Sequence, residues 1–187
     1  MINFKINSTE SLSQAFIALG IVDFKQACEY IKQLSYKRNK DRDNLLNVLE
    51  EQKGVCSTKH AVIRKLALEN NHPEVELVLG IFKMDADYAP AIRATLEQAG
   101  LDYIVEGHTY LKYNNHFYDY TTITSDYELF KDKGISEVIY EYNQIGDFKI
   151  NLHREAIQKW LDITPTIAYS LDKIWTIREQ CIADLQL

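Results

Sequence analysis

The run Lys53-Gly54-Val55-Cys56-Ser57-Thr58-Lys59-His60-Ala61 admits few backbone paths. Gly54 marks a sharp turn, and from Ala61 the apolar residues Ala61, Val62, Leu66, Ala67 and Leu68 recur at helical spacing. The pattern predicts a loop that turns at Gly54 and enters a helix at Cys56. Ser57 and Thr58 suit the first turn, where their side chains satisfy open N–H groups. Asn70-Asn71-His72-Pro73 ends the helix at about Asn70, because Asn accepts a left-handed cap and Pro cannot continue. A thiol at such a start feels the positive end of the helix dipole, which favours the thiolate, the reactive form. With a histidine in reach, Cys56 becomes a nucleophile paired with a base.

The rest of the chain reads as helices, then strands, then helices. Leu12, Phe16, Leu19 and Ile21, followed by Phe24, Ala27, Cys28, Ile31 and Leu34, predict two helices, the second capped by Asp23. Cys28 falls in that apolar stripe as a core thiol. Tyr36 to Asp43 is charged and predicts a loop, either a solvated connection, as charge runs usually are, or a segment that folds over the start of the Cys56 helix. Asn44 to Glu51 returns to helical spacing. Val75 to Phe82 is β-branched and apolar, a strand. Met84 to Pro90 is a loop, whose Asp85-x-Asp87 lacks the further ligands of a calcium site. Ala91 to Ala99 is a short helix closed by Gly100, and Ser125 to Lys133 another that ends at Gly134. Glu137 to Tyr142 alternates as a strand. Asn151 is the expected cap of a helix through Trp160, and Thr166 to Leu185 forms the last helix. Both tryptophans and Cys181 are expected in the core.

Two aromatic, alternating runs, Glu106 to Tyr113 and His116 to Thr121, flank Asn114-Asn115 and predict a tight hairpin. A two-residue turn sets Tyr113 opposite His116, Leu111 opposite Tyr118, Tyr110 opposite Asp119 and His108 opposite Thr121. His108, Tyr110, Asp119 and Thr121 then share one face. His108 and Asp119 become diagonal neighbours with Cβ atoms about 7–8 Å apart, a gap that an imidazole and a carboxylate close with one hydrogen bond. The acid would orient the ring and fix its tautomer. His60, four residues after Cys56 on the same helix face, is the rival base and otherwise a polar contact of the helix.

Composition removes several classes. A net charge of −6 leaves no basic surplus for a phosphate backbone, so no nucleic acid is expected. No run approaches the roughly 18 apolar residues of a membrane span, and Met1-Ile2-Asn3-Phe4-Lys5 lacks the apolar run of a secretory signal, so none is expected. Three cysteines with no close pairing imply reduced thiols and a cytoplasmic protein. A length of 187 residues fits one domain over 1–187, with a helical part at 8–52, a core at 53–124 and a C-terminal strand and helices at 125–187. The expected class is α+β, helices packed on a small antiparallel sheet.

Gly54-x-Cys56-Ser57-x-x-x-Ala61, Gly107-His108-x-Tyr110 and Phe117-x-Asp119-x-Thr121 together resemble the transglutaminase-like superfamily. In that family a Cys opens a helix, and a His and an Asp follow on strands of a small antiparallel sheet. The resemblance covers about Leu45 to Thr121. It implies Cys56 as nucleophile, His108 as base and Asp119 as orienting acid. The implied reaction is attack on an amide, ester or thioester carbonyl of a peptide or small molecule, through an acyl-Cys56 intermediate, with no metal or organic cofactor. The oxyanion would meet the Cys56 N–H, with Asn39 or Gln52 as a second donor and Tyr110 lining the cleft. The family commonly carries an aromatic residue after both the Cys and the His. Ser57 and Thr109 stand there, so a catalytically inactive binding module of the same fold is the alternative.

Overall fold

Eleven of the fourteen residues of one helix, Cys56–Glu69, are buried, and the amino-terminal elements pack around it. The computed structural model describes residues 1–185. Helices α1 (Ser11–Ala18), α2 (Phe24–Gln33) and α3 (Leu46–Glu50) lie against α4 (Cys56–Glu69). Asp23 caps α2 as expected, its Oδ1 accepting the Gln26 N–H at 3.0 Å. The start of α1 has no cap of its own; the Glu69 carboxylate supplies one, accepting the N–H groups of Leu12 (3.3 Å) and Ser13 (2.7 Å). Two short strands, β1 (Ser35–Tyr36) and β2 (Lys53–Gly54), run parallel and bracket the charged loop between them.

The main sheet has four antiparallel strands in the order β5-β4-β3-β6. They are β3 (Glu76–Asp85), β4 (Tyr103–Tyr113), β5 (His116–Tyr118) and β6 (Gly134–Tyr140). The hairpin register is the expected one at Tyr113 with His116 and Leu111 with Tyr118, but β5 stops at Tyr118. Asp119 and Thr121 therefore lie beyond the paired strand, where the Asp119 side chain accepts the Thr121 N–H, and the expected pairings of Tyr110 with Asp119 and His108 with Thr121 are not part of the ladder. Asn114 and Asn115 both adopt positive φ, +48° and +59°, as a tight hairpin turn requires. Helix α5 (Arg93–Ala99) closes at Gly100 with φ +64°. The chain ends through α6 (Asp147–Ile163) and α7 (Leu171–Asp184), with α7 packed on α5 and α6. The α+β class expected from the sequence is observed. Among the described residues no helix is long and apolar enough to cross a membrane.

The chain divides into two compact units. The first comprises Met1–Leu79, Thr109–Tyr127 and Val138–Gly146; the second comprises Gly80–His108, Glu128–Glu137 and the chain from Asp147 onward. The core of the first is built on α4, with Phe16, Phe24, Ile31, Val62, Ile63 and Leu66 at or near zero exposure.

Several elements depart from the sequence reading. Ser125 to Lys133 is not a helix but holds two 3₁₀ turns, Tyr127–Leu129 and Lys131–Lys133. Its aromatic residues are drawn into separate ring clusters, Tyr127 stacked on Phe117 at 4.3 Å and Phe130 against Phe82 at 5.2 Å. Strand β6 starts at Gly134, just after the ion pair of Lys133 with Asp85, and ends at Tyr140. There the Gln144 side chain accepts the Glu141 N–H at 2.8 Å and turns the chain. Helix α6 begins at Asp147, whose acid suits a helix start, so Asn151 lies inside the helix. Helix α7 begins at Leu171, because Ser170 caps it by accepting the Lys173 N–H at 3.2 Å. Trp160 and Cys181 are buried, but Trp175 is only half-buried, with the guanidinium groups of Arg154 and Arg178 each 5.3 Å from its ring.

Candidate functional site

Cys56 is the first residue of α4 and is 7 % exposed. Local chemistry fixes that start. The Thr58 hydroxyl accepts the Val55 N–H at 3.1 Å and donates to Asn39 Oδ1 at 3.0 Å. Asn39 in turn donates to the carbonyls of Lys53 (2.9 Å) and Asn47 (3.3 Å). The charged loop therefore does fold onto the helix entrance, and Asn39 is the clasp. Its amide hydrogens are committed to carbonyls, so it positions the loop and has no donor left for an oxyanion. Gln52 is exposed, with φ +50°. Tyr110 is 1 % exposed and packs its ring against Phe117 and Tyr127.

Helix α4 carries three basic side chains, Lys59, His60 and Arg64, into the interior. His60 has no exposure, and its Nδ1 donates to the Cys56 carbonyl at 2.8 Å. Its Nε2 accepts the Tyr120 N–H at 2.8 Å. A ring that donates at Nδ1 and accepts at Nε2 is neutral, with the tautomer set by two backbone groups. The Asp119 carboxylate lies 3.7 Å from Nε2, but that nitrogen carries no proton, so the pair is not an ion pair. His60 is thus the helix-side polar contact of the two readings, with its lone pair already engaged. Arg64 donates to the carbonyls of Pro73 (2.8 Å) and Val75 (2.7 Å), holding the entry to β3.

Lys59 is fully buried. Its Nζ donates to the Leu34 carbonyl at 2.5 Å and the Thr121 carbonyl at 2.6 Å. Burial pulls its pKa down to about 8, while the negative charges of Asp119 and Cys56 work in the opposite direction. Asp119 is buried just past β5, where its Oδ1 accepts the Thr121 N–H at 2.9 Å. In the first unit, then, the start of α4 and the Asp119–Thr121 segment come together, joined by Lys59 and His60. Tyr140 also belongs here. Its hydroxyl is 2.6 Å from Thr109 Oγ1, and burial, assisted by Cys56, raises its pKa.

His108 lies on β4 in the second unit and is 8 % exposed. Its ring meets those of Phe130 at 5.1 Å and Phe82 at 6.2 Å, both edge-on. The other two cysteines sit in the core, where burial raises both thiols, Cys181 to about 11. Among the described residues no group of three or more His, Cys, Asp or Glu side chains is arranged to hold a metal ion.

Sequence reasoning passed over Lys59, Thr109 and Tyr140. Lys59 stands three residues after Cys56, but a lysine on a helix is ordinarily assigned to solvent. The one available signal was Gly54, whose role becomes plain only from the side chain that crosses it. No family model, no curated protein and no solved structure matches the chain.

Proposed function

We propose that the chain is a thiol-dependent acyl hydrolase or acyl transferase of transglutaminase-like fold, working on an amide, ester or thioester carbonyl. Cys56 is the nucleophile, His108 the base and Asp119 the orienting acid. His108 takes the proton of the Cys56 thiol, the thiolate attacks the carbonyl carbon, and the oxyanion faces the N–H of Cys56 at the helix start. As the tetrahedral adduct collapses, the leaving amine, alcohol or thiol takes a proton from His108. Water or an amine, giving its proton to His108, then displaces the acyl group from sulfur.

One observation carries the reading. Cys56 opens a fourteen-residue helix beside a buried carboxylate and a buried lysine. Further support comes from the α+β order of elements.

The test is competitive alkylation of the folded protein with iodoacetamide at neutral pH, read cysteine by cysteine in a peptide map. Cys56 should react at least tenfold faster than Cys28 or Cys181, and His108→Ala should slow it. Equal labelling of the three thiols, or a Cys56 rate indifferent to His108→Ala, refutes the proposal and supports the inactive binding module.

A further inference from the structure

A fully buried lysine next to the proposed nucleophile calls for a physical reason. Burying an ammonium carries a large desolvation penalty, and lysines are almost never fully buried unless paired. Here the Lys59 Nζ joins two separate segments. The Leu34 carbonyl ends α2, and the Thr121 carbonyl lies two residues beyond Asp119. Thr121 is held on both sides, its N–H by Asp119 Oδ1 and its carbonyl by Lys59.

The path of the lysine stem explains Gly54. A Cβ built on Gly54 would stand 2.9 Å from Lys59 Cγ and 2.9 Å from Thr58 Oγ1. Gly54 is not among the residues with positive φ, so the requirement is space, not backbone freedom. The glycine two residues before Cys56 is the gap through which the Lys59 stem passes.

We propose that Lys59 is a positioning residue of the Cys56 site: its ammonium fixes the Asp119–Thr121 segment against the first turn of α4 and supplies the positive charge that favours the Cys56 thiolate. The proposal rests on the reading of Cys56 as nucleophile. The charges that bear on Nζ are Asp119 and Cys56, and Cys56 also acts on Tyr140. His60, packed beside Asp119, is neutral by its hydrogen bonds.

The experiment is the rate of iodoacetamide alkylation at Cys56 from pH 5 to 10, in the wild-type chain and in Lys59→Met, Lys59→Gln and Lys59→Arg. Slow labelling of Cys28 and Cys181 reports that each variant is folded. Loss of the charge should move the thiolate titration up by about one pH unit and lower the pH 7 rate on the order of tenfold. Lys59→Gln keeps two N–H donors and should behave as Lys59→Met, whereas Lys59→Arg should recover most of the rate.

A folded Lys59→Met or Lys59→Gln with the wild-type profile overturns this inference and leaves the role of Cys56 standing. A wild-type Cys56 no faster than Cys28 overturns both. Should neither neutral variant fold, the wild-type profile decides. Two steps are expected, the first below the ordinary thiol value of about 8.5 and the second as Lys59 loses its proton. A single step at the ordinary value overturns the inference.

Discussion

Glu106 on β4 is the clearest place to test how a buried charge stabilises the second unit. It is 5 % exposed, and Arg178 from α7 grips it with both arms of the guanidinium, Nε to Oε2 and Nη2 to Oε1, each at 2.7 Å. Burial alone would raise the carboxyl, but the Arg178 charge, with help from His153 and Lys149, holds it at about 2 instead of 4.5. Between those pH values the unfolded chain binds a proton that the folded chain does not. The stabilisation is therefore complete above about pH 4.5 and drains away as pH falls toward 2. At about 1.4 kcal/mol per pH unit, the whole contribution is ~3 kcal/mol. By pH 3, ~2 kcal/mol of it has gone.

Glu106→Gln removes the titration and leaves Arg178 buried with Glu179, whose Oε1 accepts from Nη1 at 2.7 Å, as a charged partner. Breaking one side of a buried pair costs about 3–5 kcal/mol, and the remaining Glu179 contact places this variant at the lower end. Both tryptophans, Trp160 and Trp175, belong to the second unit, so urea unfolding followed by tryptophan fluorescence reports on it directly. The wild type should lose ~2 kcal/mol more than Glu106→Gln between pH 6 and pH 3. Other acids, such as Asp85 paired with Lys133, titrate in both proteins and cancel in the difference. Parallel pH profiles, or a Glu106→Gln variant within about 0.5 kcal/mol of wild type at pH 7, refute the assignment. Replacing both partners, Glu106→Leu with Arg178→Met, should recover most of the loss, because no buried charge is then left alone.

Two further perturbations address the first unit. Gly54→Ala forces its methyl group to within 2.9 Å of Lys59 Cγ and Thr58 Oγ1, and should cost about 1–3 kcal/mol in thermal unfolding and slow Cys56 alkylation; an unchanged melting temperature would count against the close approach. His60→Leu leaves the Tyr120 N–H buried without its acceptor, at about 1–3 kcal/mol, while the Cys56 carbonyl keeps its place in the helix. That loss should appear in stability with the pH midpoint of Cys56 alkylation unmoved; a moved midpoint with full stability would make His60 the base.

The hairpin and the Cys56 helix were legible because local chemistry decides both. Two adjacent asparagines tolerate the positive φ that the turn demands, and the alternation on either side fixes the register. Asn70 ends the helix as read, whereas Gly54 is not the sharp turn expected: it lies in β2, and Val55 is the residue before the helix. The segment from Ser125 to Lys133 was misread because helical composition lost to ring packing by Tyr127 and Phe130, which no local pattern records. Trp175 was misplaced for a related reason. An aromatic residue at core spacing on a helix can equally well stack with cations, and Arg154 and Arg178 arrive from positions that only the fold brings near.

The interior of α4 was the least legible part, because periodicity reports only a helix with one apolar face. A helix buried nearly all round cannot leave Lys59, His60 and Arg64 in water, so each must end on fixed acceptors or donors. Their partners are the end of α2, the strand entry at Pro73 and Val75, and the chain at Tyr120 and Thr121. Every one of these is a junction between elements, where backbone groups lack regular hydrogen bonds. The side chains that avoid their own burial cost also satisfy the junctions. Movement of the Cys56 end of the helix would break several of these bonds together. Such rigidity suits the role proposed for Cys56, whose geometry is then set before a substrate arrives; the cation itself is tolerated because the Leu34 and Thr121 carbonyls take its N–H groups.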